Sequence, residues 1–232
     1  MNESILILGA NGQDGRLLCD YFDEKNIFYD IVVRNSCRHN PKNIREIFIG
    51  DLNNYEFVKE IFKNNKYNKV FNFANETFVR DNNLIYYSLE KTQIFFNITR
   101  IIEEENLKFW LCQPLSSEIF GVPTEVPQNS KTEINPINNY GLAKTIEFYA
   151  SKIMRSKGIV VFNPIFFNHE SSYRDVRFFS AKAIQHFINY VNNNDSDKTE
   201  VFKFHNAASV RDWGYAQEFI EIIVKASEKQ IN

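Results

Sequence analysis

The chain has 232 residues, with 27 basic side chains against 29 acidic ones and a net charge of −2, which fits one domain long enough to bury a substantial core. No basic run marks a nucleic-acid partner, and no stretch nears the roughly 20 apolar residues that span a bilayer, so the expectation is a small-molecule ligand in a cytoplasmic setting. Cys19, Cys37 and Cys112 are scattered and odd in number, without C-x-x-C spacing, which argues against a disulfide framework and against a metal site.

The first element is ILIL at 5–8, a short β-prone run that ends at Gly9, and the amphipathic GRLLCDYFDEK follows at 15–25. This is strand, glycine turn, helix. The alternation continues through DIVV at 30–33, EIFIG at 46–50, the helical NYEFVKEIFKNN, KVFNFA at 69–74, a long helix over about 84–105 and KFWLC at 108–112. A helix containing YGLAKTIEFYASKIM then leads to IVVFNPIFF at 159–167, and a further helix to VFKFH at 201–205, with the polar NNNDSDKTE between them as a surface loop. Nearly continuous apolar strands separated by helices suit a parallel sheet covered on both faces. The fold class expected is α/β, a doubly wound Rossmann-type sheet, as a single domain over 1–232.

GANGQDG sets Gly9, Gly12 and Gly15 at G-x-x-G-x-x-G spacing between the first strand and the first helix. The turn needs glycine backbone angles, a pyrophosphate needs bare backbone to approach, and the helix N-terminus offers N–H groups and a positive dipole. A tight turn without ligand would use the same pattern. The second strand ends at Val33 and is followed by Arg34, with no acid at its tip. An arginine there receives the 2′-phosphate of NADP, which favours NADP over NAD, although a solvated surface arginine reads the same. Asp51 stands where an adenine contact or a helix cap is possible.

Y-x-x-x-K occurs four times, at Tyr21/Lys25, Tyr55/Lys59, Tyr87/Lys91 and Tyr140/Lys144. Only the last lies between two strand ends, LCQPLSSE and FNHE, on the edge where such sheets bind ligands. Tyr140 and Lys144 share one helix face. Such a pair supports hydride transfer: lysine lowers the tyrosine pKa and the phenolate takes a hydroxyl proton. Ser116 would steady the substrate oxygen, and Glu118 would remove a proton α to the new ketone, which opens elimination. Against that, Glu118 reads equally as a surface acid, and Ser116 and Ser117 as turn formers.

These stretches resemble the extended short-chain dehydrogenase/reductases and, among them, the GDP-mannose 4,6-dehydratases. Those enzymes carry a GxTGQDG loop, S-T-S-E-L-Y-G, Y-x-x-x-K, L-F-N-H-E and R-D-W-G; here GANGQDG, LSSEIFG, YGLAK, FFNHESSYRD and RDWG at 211–214 follow in the same order. The resemblance implies that Ser116 is the active-site hydroxyl, Glu118 the acid/base, Tyr140 the base for C4 oxidation and Lys144 its activator. It implies cofactor contacts at Gly9, Gly12, Gln13, Asp14, Gly15, Arg34, Asp51, Leu52, Phe73, Ala74, Tyr140, Lys144 and His169. Ser117, Asn168, Lys182 and Arg211 are implied on the substrate side, within a partial sugar-nucleotide region over 168–214. The implied reaction is internal redox on a GDP-linked sugar with tightly bound NADP, in deoxysugar or surface-polysaccharide precursor synthesis. The alternatives are a 4-keto reductase or epimerase using the same triad, and a non-catalytic NADP-binding homologue assisting a partner.

The sequence departs from the family at Asn75, Glu76 and Phe78, in NFANETFV, and at Leu115. Members of the resembled family continue well past RDWG, so the expectation is a pocket left open, one completed by a partner, or a different substrate, in a homodimer or tetramer. His39, His186 and His205 read as structural or surface residues, and the loop flanked by Pro127 and Pro136 as a cover over the site.

Overall fold

Each short apolar run beside a glycine or asparagine turn becomes a strand, and each amphipathic run a covering helix. The computed structural model describes residues 3–63, 66–75, 86–192, 201–203 and 208–232. Along the chain it forms β1 (Ile5–Leu8), α1 (Gln13–Glu24), β2 (Tyr29–Val33), β3 (Ile44–Ile49), α2 (Tyr55–Lys63), β4 (Lys69–Asn72), α3 (Tyr86–Glu104), β5 (Trp110–Cys112) and β6 (Leu115–Ser116). A 3₁₀ turn (Ser117–Phe120), α4 (Asn139–Ser156), β7 (Val161–Phe162), β8 (Ile165–Phe166), β9 (Asn168–Glu170), α5 (Phe179–Asn192), β10 (Trp213–Tyr215) and α6 (Ala216–Glu228) follow.

Six parallel strands lie in the order β3-β2-β1-β4-β5-β7. The order reverses between β1 and β4, the switch point at which such sheets open a ligand crevice. Every residue of β1, β2 and β4 is buried, because helices cover both faces. Leu17, Leu18 and Phe22 of α1 pack with Ile220, Ile223 and Val224 of α6 on one face. Val58, Ile61, Phe95, Ile98 and Met154, from α2, α3 and α4, pack on the other. Each such side chain contributes roughly 1.5–3 kcal/mol when fully buried.

Two expected strands differ. The run 159–167 is not one strand but β7 in the main sheet and β8 paired with β6. Pro164 lies between them with no N–H to give, and its carbonyl accepts instead from the Leu115 N–H at 2.8 Å. Residues 201–203 form no strand, and Val201 is 72% exposed. Residues 204 and 205 of that run, the loop over 193–200, and Glu76 and Phe78 lie outside the described residues.

Candidate active site

Gly9 adopts φ 82°, and a Cβ there would lie 2.6 Å from the Ala74 nitrogen, so glycine is required for β1 to pass β4. At Gly15 a Cβ would overlap the Gly9 carbonyl oxygen. Gly12 is different. It is exposed at the N-cap of α1, and a Cβ there would meet only the Gly9 oxygen, at an ordinary 3.4 Å. Chain packing thus explains two glycines, while the third leaves bare backbone at a helix N-terminus, which fits a pyrophosphate. Asn11 ties this loop to the segment after β2, donating to the Ser36 carbonyl at 2.8 Å and accepting from the Arg38 N–H at 2.9 Å. Arg34 is exposed in that segment.

The two most distinctive motifs touch each other. Gln13 donates to the His169 carbonyl at 3.0 Å and accepts from the Ser171 hydroxyl at 2.9 Å, and Asp14 Oδ1 lies 3.0 Å from His169 Nε2. Burial alone would push His169 down, but the Asp14 bond and charge, together with the Phe167 carbonyl, outweigh it and raise its pKa. The Phe219 ring stacks on His169 and also fills the space beside Gly214, where a Cβ would overlap it. β10 pairs with β9, Gly214 opposite His169, so RDWG is fastened to NHE.

Ser116, Ser117, Glu118, Tyr140 and Lys144 line one cleft of about 270 Å³, together with Asp14, Phe73, Asn168, His169 and Arg211. The Ser116 hydroxyl accepts from the Glu118 N–H at 3.3 Å, fixing the start of the 3₁₀ turn. Asn138 caps α4 by accepting from the Gly141 N–H at 2.7 Å, and its amide donates to Glu118 Oε2 at 2.6 Å. Gly141 lets α4 press on the turn, since a Cβ there would overlap the Glu118 carbonyl oxygen. Lys144 Nζ donates to the Pro114 carbonyl at 3.1 Å and to Glu147 Oε2 at 2.8 Å. Tyr140 is 9% exposed. Burial first, then the charges of Glu147, Glu118 and Asp14, hold its phenol well above the usual value, while a hydrogen bond with Ser116 pulls the other way.

Not every expected residue meets here. Lys182 is exposed and lines a separate hollow of about 610 Å³ beside α5. Asp51 accepts from the N–H and the side-chain amide of Asn53, at 3.0 and 2.9 Å, and Asn54 instead caps α2 through the Glu56 N–H. Leu52 is buried, with its carbonyl bound to Asn97. Ala74 backs Gly9. Among the described residues, none from the Pro127–Pro136 loop lines the cleft. Sequence reading passed over Asn138, Gly141, Glu147 and Arg174; the last lines the cleft and pairs with Glu170 at 3.2 Å. Two asparagines, Asn138 and Asn139, stand ahead of YGLAK as a helix-start signal, and Asn138 is the one that caps.

A Rossmann-type sheet, a glycine loop at the mouth of α1, and a serine, tyrosine and lysine in the crevice are the features of the extended short-chain dehydrogenase/reductases. The family model described as GDP-mannose 4,6 dehydratase matches residues 6–232, and the chain belongs to that family. It is 26% identical over 239 residues to the GDP-mannose 4,6 dehydratase of Drosophila melanogaster, covering 93% of this chain and 58% of that one. The relative from Sinorhizobium fredii (strain HH103) is 27% identical, with 93% and 65% covered. The chain therefore spans about three-fifths of the length of these relatives. Among solved structures, a dTDP-glucose 4,6-dehydratase from Bacillus anthracis in complex with NAD superposes with TM-score 0.78 at 15% identity, over 98% of this chain and 72% of the other. A Thermotoga maritima UDP-glucose 4-epimerase with UDP-glucose gives TM-score 0.78 at 18%, over 97% and 73%; these two establish the shared fold. Among the described residues no helix is long and apolar enough to cross a membrane, and no cluster of metal-ligating side chains occurs.

Proposed function

We propose that the protein is a nucleotide-sugar 4,6-dehydratase that acts on a GDP-linked hexose with NADP as an internal redox cofactor. The observation that carries this reading is the convergence of Ser116, Glu118, Tyr140 and Lys144 on one cleft, with Glu118 tethered to the cap of the helix that bears Tyr140. A plain dehydrogenase needs the serine, tyrosine and lysine; the carboxylate beside them serves elimination. Family membership and the names of the relatives support the GDP-linked substrate.

In this reading Gly12 and the first N–H groups of α1 would hold the pyrophosphate, and Arg34 would receive the 2′-phosphate. The bound nicotinamide supplies a hydride acceptor and later a donor. Tyr140 takes the proton of the C4 hydroxyl while Ser116 steadies that oxygen. Glu118 takes the C5 proton, made acidic by the neighbouring ketone, and passes it to the C6 hydroxyl, which leaves as water. The 168–214 segment, through Asn168 and Arg211, forms part of the sugar-nucleotide side. A 4-epimerase would use the same serine, tyrosine and lysine, and Glu118 is the residue that favours dehydration over it. Exposed Leu89 and Phe96 on α3 and Tyr149 and Ile153 on α4 support a homo-oligomer, which sedimentation tests. Incubation with GDP-mannose and mass spectrometry for loss of water tests the activity; failure to dehydrate it or any other nucleotide sugar would overturn the reading.

A further inference from the structure

Glu147 is 0% exposed, one turn beyond Lys144 on α4. Its Oε2 accepts from Lys144 Nζ at 2.8 Å and from Gln113 Nε2 at 2.9 Å, and its Oε1 lies 3.4 Å from Asn75 Nδ2. Gln113 in turn accepts from Asn72 Nδ2 at 2.6 Å. The carboxylate thus gathers the ends of β4 and β5 onto the helix that carries Tyr140. Replacing a buried ion pair by apolar side chains of similar volume is often neutral or stabilising. Packing alone therefore gives no reason for two charges beneath the cleft.

We propose that Glu147 is a positioning residue: it fixes the Lys144 ammonium between its own carboxylate and the Pro114 carbonyl, and so sets the field in which Tyr140 exchanges its proton. The significance of that field for catalysis rests on the assignment of Tyr140 as the base. Charges act on Tyr140 from several elements: Glu147 on α4, ion-paired there with Lys144, Glu118 on the 3₁₀ turn, Asp14 on α1, and Lys91 on α3, whose Nζ lies 5.9 Å from the ring centroid. After burial, the Glu147 charge is the largest influence holding the phenol up. Neutralising it leaves only the weaker influence of Glu118 and Asp14 against the phenolate and frees the Lys144 ammonium from its carboxylate partner.

The test uses the full chain labelled with ¹³C at the tyrosine Cζ, without added cofactor, and follows the Tyr140 resonance against pH, with Tyr140→Phe to identify it. Glu147→Gln keeps the shape and removes the charge, and is expected to bring the onset of the phenolate shift down by about one pH unit. Glu147→Asp, which keeps the charge, is expected to return the onset toward that of the unmodified chain. An onset unmoved in Glu147→Gln overturns the proposal. If that variant does not fold, Lys144→Met/Glu147→Gln removes both charges together; an onset at or below the unmodified value supports the proposal, and one above it overturns it. The water-loss assay reports separately on the dehydratase reading, since a failure there leaves this titration unchanged.

Discussion

One oxygen of Glu118 is tied to the Asn138 amide, so the carboxylate is aimed before any substrate arrives. Glu118→Gln keeps the shape but accepts no proton, and is expected to slow elimination by about 10²- to 10⁴-fold while cofactor affinity, measured by calorimetry, stays unchanged. Full dehydration by that variant would assign the base to another group. Asn138 does two jobs, capping α4 and holding Glu118, and they can be separated. Aspartate is as good a cap as asparagine, yet it sets a second carboxylate against Glu118. Asn138→Asp is therefore expected to keep α4 capped, to cost about 1–3 kcal/mol through the lost amide bond to Glu118, and to lower the rate of water loss; an unchanged rate would mean that the amide serves the helix alone.

The active edge is set by how closely α4 approaches the 3₁₀ turn, and Gly141 permits that approach. Gly141→Ala is expected to destabilise the protein by about 1–3 kcal/mol in urea unfolding, the usual cost of overpacking, and to disturb Glu118 with it. Sequence pattern made the main strands legible because runs such as ILIL and YDIVV are buried throughout and have helix-length segments between them. It also brought Ser116, Glu118, Tyr140 and Lys144 to one edge through strand-end topology. The two- and three-residue strands β6, β9 and β10 are too short to carry a period. Pro164 was a visible sign that 159–167 would not pair as one strand. Glu147 was not legible, because Lys-x-x-Glu on a helix ordinarily reads as a solvated surface pair, and only burial between α4 and the ends of β4 and β5 gives it another meaning.

Across the molecule, the glycine loop is joined to β9 by side chains rather than by the main sheet, Gln13 to His169 and Ser171 and Asp14 to His169, and β9 in turn pairs with β10. Under the proposed function, a cofactor bound at α1 is therefore expected to firm the segment around His169. Arg34 predicts that NADP raises the unfolding temperature more than NAD at equal concentration, and that Arg34→Ala abolishes the difference; equal shifts in the unmodified chain would remove the basis for NADP. The Asp14–His169 contact also ties stability to pH. The folded-state pKa of His169 lies above that of an exposed histidine, because the Asp14 carboxylate and the Phe167 carbonyl overcome its burial. Its protonated form is thus favoured in the folded chain, a contribution fully present below about pH 6.5 and lost as pH rises through the folded-state value. His39 has the opposite sign: burial first, and then Arg16, lower it, so it costs stability on acidification. The difference between the unmodified chain and His169→Gln cancels the His39 contribution. Urea unfolding at about pH 5.5 and about pH 8.5, on either side of the histidine range, should show the unmodified chain ahead by more at the lower pH. A gap that is constant, or wider at the higher pH, would mean that His169 is held neutral and that stacking on Phe219, not the charge on Asp14, accounts for its place between the two motifs.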